Sequence, residues 1–364
     1  MKVVHVHKLT GVSGSENHLL ALLPALRAAG VDAGFLGLDV PGSDAPRFYE
    51  RLDELRIPYR RVRCGMDVSP RMARDVIRAV SLERPDLVHT HLVHGDIYGA
   101  VAASAARVPY VSTRHNDDRY LLGPFRYVDR AFARPARRLI AISDAVRRFL
   151  EQAGHSPRKL VTVRYGLDAP PALPSEITPE AAGIPESVPL LLAVGRLIDQ
   201  KDHPTLLRAF ARVRERHPEA RLAILGSGPL EEATRALVHE LGLDDAVVLP
   251  GRQEPGDWLA RADVFVHTPR WEGFGIVLLE AMLASLPIVA TSVSAVPEVV
   301  VDRETGLLVG EGDVEALAVS LDELLSDSER AHRLGAAGLE RARTEFSVAR
   351  MTEQTIRVYR QSLA

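Results

Sequence analysis

Apolar residues in this chain follow two alternating patterns. Short unbroken runs are separated by longer stretches in which apolar residues return every third or fourth position. The runs have the length and β-branched content of buried strands, and the stretches have the helical period. On this reading the first half predicts strands at 2–7, 31–38, 59–62, 86–91, 109–113, 139–142 and 160–163. Helices fall between them: one through Leu19, Leu20, Leu22, Leu23 and Leu26, then 45–56, 70–83, 94–106 and 144–152. The second half predicts strands at 189–194, 221–225, 247–249, 263–267 and 287–290, with helices at 204–216, 230–241, 257–261 and from Ile276. The tail is helical at 314–325, 328–344 and 348–363. Strand–helix alternation of this kind predicts parallel, doubly wound α/β sheets. Residues 168–187, D-A-P-P-A-L-P-S-E-I-T-P-E-A-A-G-I-P-E-S, are Pro-rich and keep no period, which predicts an interdomain linker.

The most informative stretch is 268–297, T-P-R-W-E-G-F-G-I-V-L-L-E-A-M-L-A-S-L-P-I-V-A-T-S-V-S-A-V-P. A predicted strand leads into a loop holding Glu272, Gly273, Phe274 and Gly275. A helix then carries Ile276, Leu279, Met282 and Leu283 on one face. Such a loop lies at the carboxyl end of a parallel strand, where open α/β sheets bind ligands. The helix start offers free N–H groups to a phosphate. Glu272 and Glu280 flank that anion site, and carboxylates suit sugar or ribose hydroxyls better than phosphate. The pattern suggests a sugar–phosphate–ribose ligand. The plainer alternative makes Glu272 a helix cap and Glu280 a solvated helix residue.

The run W-E-G-F-G-I-V-L-L-E-A-M-L-A-S-L-P-I-V-A-T, with T-G-L-L-V downstream, resembles the donor-binding signature of glycosyltransferase family 4, the group 1 glycosyl transferases. The resemblance implies a GT-B fold, with two Rossmann-like doubly wound domains facing each other across a deep cleft. The acceptor-side domain would hold residues 1–167 plus about 348–364, and the nucleotide-sugar donor domain residues 188–347. It also implies a metal-independent, retaining transfer of a hexose-like sugar from a UDP- or GDP-linked donor, with no cofactor. The likeness covers nearly the whole chain and is specific from Gly195 to Val309.

Gly195, Arg196 and Leu197 follow a predicted strand, with Lys201 five residues after Arg196. Two cations on one loop can straddle a diphosphate leaving group. The resemblance assigns Arg196 and Lys201 that role. Gly226 and Gly228 open the next helix. The resemblance implies that the region of Gly251 and Arg252 lines the nucleobase pocket. In the first half Gly11 and Gly14 lie in the loop after the first strand. Their spacing is not G-x-G-x-x-G, so a dinucleotide fingerprint is not supported. The family places a loop here near the diphosphate and acceptor.

Four histidines, His89, His91, His94 and His115, stand at strand ends of the first domain. Side-chain type admits zinc, but helical H-E-x-x-H spacing is absent and no metal is expected. His115 matches the family's active-site histidine, which contacts the transferred sugar. Arg114, Asn116 and His91 are candidate acceptor contacts, although Arg114 could instead pair with a carboxylate. Ser143 and Asp144 read as a helix N-cap. Tyr165-Gly166-Leu167-Asp168 departs from the family's Asn-Gly-Val/Ile-Asp.

The chain has 364 residues, a length for two domains, and one cysteine, which excludes an internal disulfide. No apolar run reaches membrane-span length, and the run at 3–6 is too short for a signal peptide, so a cytoplasmic address is expected. The net charge of -3 conceals a division: residues 1–167 hold 26 Lys and Arg against 17 Asp and Glu, leaving 19 against 31 in the remainder. A basic first half suits an anionic acceptor or peripheral contact with an acidic membrane surface at its inner face. Arg126, Arg130, Arg134, Arg137 and Arg138, interspersed with Leu121, Leu122, Phe125 and Phe132, are candidates for that contact or an ordinary solvated helix face. No nucleic-acid partner is expected. Three functions fit this reading: a glycosyltransferase first, then a nucleotide-sugar epimerase or hydrolase on the same fold, then a silent nucleotide-sugar binding protein. No D-x-D occurs to clamp a metal–diphosphate.

Overall fold

The computed structural model describes residues 1–9, 11, 14–43, 45–65, 69–117, 119–169 and 174–364, with backbone alone at 119 and 120. The chain divides into two units, Met1–Gly166 with Ser347–Ala364, and Leu167–Phe346.

The described residues of the first unit form seven strands: β1 (Lys2–Leu9), β2 (Asp32–Asp39), β3 (Tyr59–Arg63), β4 (Leu87–His91), β5 (Tyr110–Arg114), β6 (Arg138–Ala141) and β7 (Leu160–Thr162). All pair in parallel, in the order β3-β2-β1-β4-β5-β6-β7. Helices cover both faces, so β4 and β5 are buried at every position. The helix Gly14–Ala28 buries Leu19, Leu22, Leu23 and Leu26 against the sheet. The last helix, Val348–Leu363, is capped by the Ser347 hydroxyl and buries Met351, Val358 and Tyr359 in the same core.

The second unit holds β8 (Leu190–Val194), β9 (Arg221–Leu225), β10 (Val247–Val248), β11 (Val264–His267), β12 (Ile288–Thr291) and β13 (Leu307–Val309), parallel in the order β10-β9-β8-β11-β12-β13. Only β13 was not predicted: three residues between Gly306 and Gly310 are too few to show a period. Each sheet reverses strand order at one place, between β1 and β4 and between β8 and β11. Loops diverge at these points and leave a crevice at the carboxyl ends.

The expected linker at 168–187 is instead largely part of the second unit. Residues 170–173 lie outside the described residues, but the rest is strapped to the helix Gly256–Arg261. Ser175 N–H donates to Asp257 at 2.7 Å, Trp258 Nε1–H donates to the Ile177 carbonyl at 3.0 Å, and Ile184 is buried. The Arg261 guanidinium reaches the Pro185 and Val188 carbonyls. Proline removes donors and fixes φ, so the segment has no period to read, yet it can be held by its carbonyls.

Arg114 ends β5 inside the first unit. Its Nη1 lies 2.6 Å from Asp129 and 3.1 Å from Asp96, and Asp129 faces His155 at 2.8 Å. Asp96 also accepts from Ser112 at 2.6 Å and from Thr90. This buried network pins the helix Phe125–Ala133 to the sheet. Removing the one cation between two buried carboxylates leaves uncompensated charge. Arg114→Gln is expected to destabilise the protein by about 3–5 kcal/mol, measured by denaturant unfolding. A loss under about 1 kcal/mol, the size of an exposed pair, would contradict this account.

Candidate active site

In the second unit, the loops leaving β8 and β11 meet at the point of strand reversal. Gly195, Arg196 and Leu197 leave β8, and Gly226 and Gly228 leave β9. A Cβ on Gly226 would sit 1.9 Å from the Gly195 carbonyl oxygen, and one on Gly228 would sit 2.4 Å from that of Leu197. Only glycine lets these backbones approach, and Leu197 N–H then donates to the Ser227 carbonyl at 3.0 Å. The loop after β11 is tied to the loop after β8. Arg270 N–H donates to the Gln200 carbonyl at 2.8 Å, Gln200 Nε2 to that of Trp271 at 2.8 Å, and Thr268 Oγ1 to that of Lys201 at 3.1 Å.

These ties bring Lys201 and Glu272 into an ion pair, with His267 Nε2 at 3.0 Å from the same carboxylate oxygen. A carboxylate only accepts, so His267 carries its proton on Nε2. Burial alone would raise the Glu272 carboxyl, but the Lys201 charge and the His267 hydrogen bond outweigh it. They hold Glu272 well below the usual carboxylate range. Burial lowers His267, against the pull of Glu272. Arg196 is exposed, and among the described residues its guanidinium has no partner. The Arg196 carbonyl lies 3.2 Å from His203 Nε2.

Gly275 stands at φ +81° before the helix Ile276–Leu283, whose start has no side-chain cap. Glu280 lies inside that helix and is buried, and its carboxyl has no hydrogen-bond or ion-pair partner among the described residues. Burial, and then the neighbouring Glu254, push its carboxyl up to about 7. Glu272 and Glu280 therefore differ: one is committed and charged, the other open and near neutrality. Glu280 is not the solvated residue of the plainer alternative. Phe274, grouped with the donor contacts, is buried and packs edge-on to Phe346 at 5.7 Å, so its ring serves the core. Arg252 is exposed after β10, and Gly273 is buried in the Glu272 loop.

In the first unit, Gly11 is half-buried and Gly14 opens a helix, while Thr10, Val12 and Ser13 of that loop lie outside the described residues. Asn116 is exposed beyond β5. Arg114 and His91, offered as acceptor contacts, are both buried: Arg114 in its carboxylate network, His91 among other imidazoles. His115 is buried too, its Nε2 3.0 Å from His91 Nδ1 and its Nδ1 hydrogen-bonded to the Tyr165 hydroxyl. His94 lies apart, 3.2 Å from Lys8 Nζ. Ser143 caps its helix, accepting from Val146 N–H at 3.0 Å.

Residues 174–341 match the family described as glycosyl transferases group 1, and residues 12–169 match glycosyltransferase family 4. The alpha-maltose-1-phosphate synthase of Mycolicibacterium smegmatis is 30% identical over 79% of this chain and 82% of its own. The chain belongs to the family 4 glycosyltransferases. The D-inositol 3-phosphate glycosyltransferase of Kribbella flavida is 30% identical over 79% of this chain and 74% of its own. The solved structure of Anabaena HepE in complex with UDP-glucose shares the fold, with a TM-score of 0.85 at 21% identity and 99% coverage of both chains. The two parallel sheets are thus those of a GT-B glycosyltransferase, and the protein is an enzyme of that class rather than a silent binding protein.

Four groups in this glycosyltransferase were not singled out from the sequence: His267, Glu254, His5 and His18, the last with its ring 5.7 Å from that of His115. His267 could have been found as the polar last residue of a buried strand. The other three become neighbours of the sites only through tertiary contacts.

The Glu280 carboxyl yields a prediction with a definite sign. Its folded pKa stands above its unfolded value, so its ionisation disfavours the ligand-free fold as pH rises through about 7. Glu280→Gln is expected to raise the melting temperature more at pH 8 than at pH 6. Hydroxyl donors on a bound ligand favour the ionised form, so wild-type affinity for UDP or GDP should rise from pH 6 to pH 8, and the variant should lose that rise. Calorimetric titration at both pH values checks this, and a pH-independent wild-type affinity would refute it.

Proposed function

We propose that this enzyme transfers a sugar from a UDP- or GDP-linked donor to an anionic acceptor, with net retention at the anomeric carbon. The observation that carries the reading is the Lys201–Glu272 pair, with unpartnered Arg196 beside it on one loop and the open Glu280 carboxyl on the helix that follows Glu272. Lys201 has three N–H donors and Glu272 takes one, which leaves others for a diphosphate. Arg196 supplies a planar fork for the same group. The helix start at Gly275 adds backbone N–H groups. Glu280 accepts from ribose hydroxyls, and Glu272 from the sugar.

In this mechanism the bond from the anomeric carbon to the diphosphate oxygen breaks as the bond to the acceptor oxygen forms on the same face. The acceptor's proton passes to the departing phosphate oxygen, and Arg196 with Lys201 neutralises the charge that develops there. No cofactor is required. The epimerase or hydrolase alternative has no observation in its favour, and it would consume donor without an acceptor.

Anionic acceptors suit the basic first unit. They also fit two relatives: one is a D-inositol 3-phosphate glycosyltransferase, and another is a GDP-mannose-dependent phosphatidylinositol monomannoside mannosyltransferase, 36% identical over 41% of this chain. A lipid-borne acceptor would bring the enzyme to an acidic membrane surface. No helix among the described residues is long and apolar enough to cross a membrane. The helix Phe125–Ala133 and its flanks hold exposed Leu122, Tyr127 and Val128 beside Arg130, Arg134 and Arg137. None of these three arginines has an ion-pair partner among the described residues. Burial and the charges of Arg134, Arg137 and Arg138 lower the Lys159 pKa, which marks a cationic patch.

Arg196→Ala and Lys201→Ala are each expected to lower kcat by about a hundredfold or more, read as donor turnover with the fold checked by circular dichroism. Turnover near wild type in either variant would refute the diphosphate assignment. The protein is also expected to co-sediment with phosphatidylglycerol vesicles and not with phosphatidylcholine vesicles, and to be released by about 0.5 M salt. Arg130→Glu with Arg134→Glu should abolish the difference, and equal binding to both vesicles would rule out the electrostatic contact.

A further inference from the structure

His5 and His7 on β1 stand opposite His89 and His91 on β4, so parallel register puts four imidazoles on one face of the sheet. Side chains from the flanking elements join His5, His89 and His91 into one hydrogen-bonded chain, while His7 Nε2 faces Glu16 at 3.0 Å. From one end, the Tyr165 hydroxyl meets His115 Nδ1, and His115 Nε2 meets His91 Nδ1 at 3.0 Å. His91 Nε2 meets His5 Nδ1 at 3.0 Å, and His5 Nε2 meets the Tyr359 hydroxyl at 3.2 Å. That hydroxyl meets His89 Nδ1 at 2.7 Å, and His89 Nε2 meets Thr113 Oγ1 at 2.7 Å. Each of the four rings uses both nitrogens, Nδ1 toward the Tyr165 end and Nε2 toward the Thr113 end.

Every ring in the chain is neutral. Burial, with like charge from the other histidines, lowers His5 to about 3 and holds His89, His91 and His115 well below their ordinary value. A neutral imidazole has one donor and one acceptor nitrogen. The buried Tyr359 hydroxyl has no other acceptor among the described residues, so it donates to one imidazole and accepts from the other. Fixing the tautomer of one ring therefore fixes the next, and two arrangements of the whole chain remain. In one, Tyr165 donates, each ring carries its proton on Nε2, and Thr113 accepts at the far end. In the other, every proton is on Nδ1 and Tyr165 must accept. A phenol donates more strongly than it accepts, which favours the first.

We infer that Tyr165, His91, His5 and Tyr359 are positioning residues for His115: the chain locks it as the Nε2–H tautomer, with its Nδ1 lone pair facing the Tyr165 hydroxyl and any substrate hydroxyl that replaces it. His115 then acts as a hydrogen-bond acceptor, selecting a substrate group that can donate. Its effect on catalysis rests on the glycosyl-transfer reading above, whereas the tautomer does not. The ring nitrogens of His5, His89 and His91 also lie within 4.8 Å of one another, the spacing of a candidate metal site. All six already have hydrogen-bond partners in the chain, so a metal there would break it.

Nitrogen-15 NMR of histidine-labelled full-length protein tests this, with His115→Gln assigning the key signals. The expected spectrum shows His5, His89, His91 and His115 all as Nε2–H. Tyr359→Phe, two rings away from His115, should leave the His115 signal divided between tautomers and lower kcat about tenfold, the worth of one hydrogen bond, with donor KM within about twofold. Tyr165→Phe should do the same from the other end. A mixed tautomer set in the wild type overturns the inference. So does a His115 signal unmoved in both variants, or stoichiometric metal in the purified protein. If the tautomers are as expected but both variants turn over normally, the positioning role fails. If the wild type transfers no sugar at all, the functional reading fails while the tautomer result stands.

Discussion

Parallel strands all finish on one edge of their sheet, so every loop that carries chemistry must leave from that edge. This constraint organises both units. In the second, the loops after β8 and β11 diverge at the strand reversal and are then sewn together by hydrogen bonds to backbone carbonyls, donated by Gln200, Thr268 and Arg270. The Lys201–Glu272 pair is a consequence of that stitching. Without it, a lysine and a glutamate 71 residues apart in sequence have no reason to meet.

Environment rather than residue type separates the two glutamates. Both are buried, which by itself disfavours ionisation. Glu272 has a cation and an imidazole N–H within reach, so it is charged and orienting. Glu280 has neither, only a second carboxylate nearby, so it sits poised near pH 7. A buried carboxyl with no partner is a liability to the ligand-free fold, and such a liability persists where a ligand relieves it. In the first unit, Arg114 shows the reverse case. Two carboxylates absorb its charge, and a residue placed beside a candidate catalytic histidine becomes an anchor for a helix.

The imidazole chain follows from the same edge geometry. Polar residues in buried parallel strands must satisfy each other, because water does not reach them. Histidines on β1 and β4 face one another in register and pass hydrogen bonds from Tyr165 to Thr113, with a hydroxyl from the last helix in the middle. The C-terminal helix thereby becomes part of the site, although it stands 244 residues after His115 at Tyr359.

The sequence alone was enough for the alternation of strands and helices, the two-domain organisation and the loop at Glu272. These depend on local period, on glycine and proline, and on a motif contiguous in the chain. It did not show that 174–188 is strapped to the second unit, because carbonyls held by Arg261 and Trp258 leave no pattern in residue type. Nor did it separate Arg114 from a ligand contact, or connect His5, His18 and Tyr359 to His115. Those outcomes turn on which side chains face each other across strands and from distant helices. A sequence states the periodicity that builds a sheet; only the packed fold decides which buried polar atoms find partners and which, like Glu280, are left open.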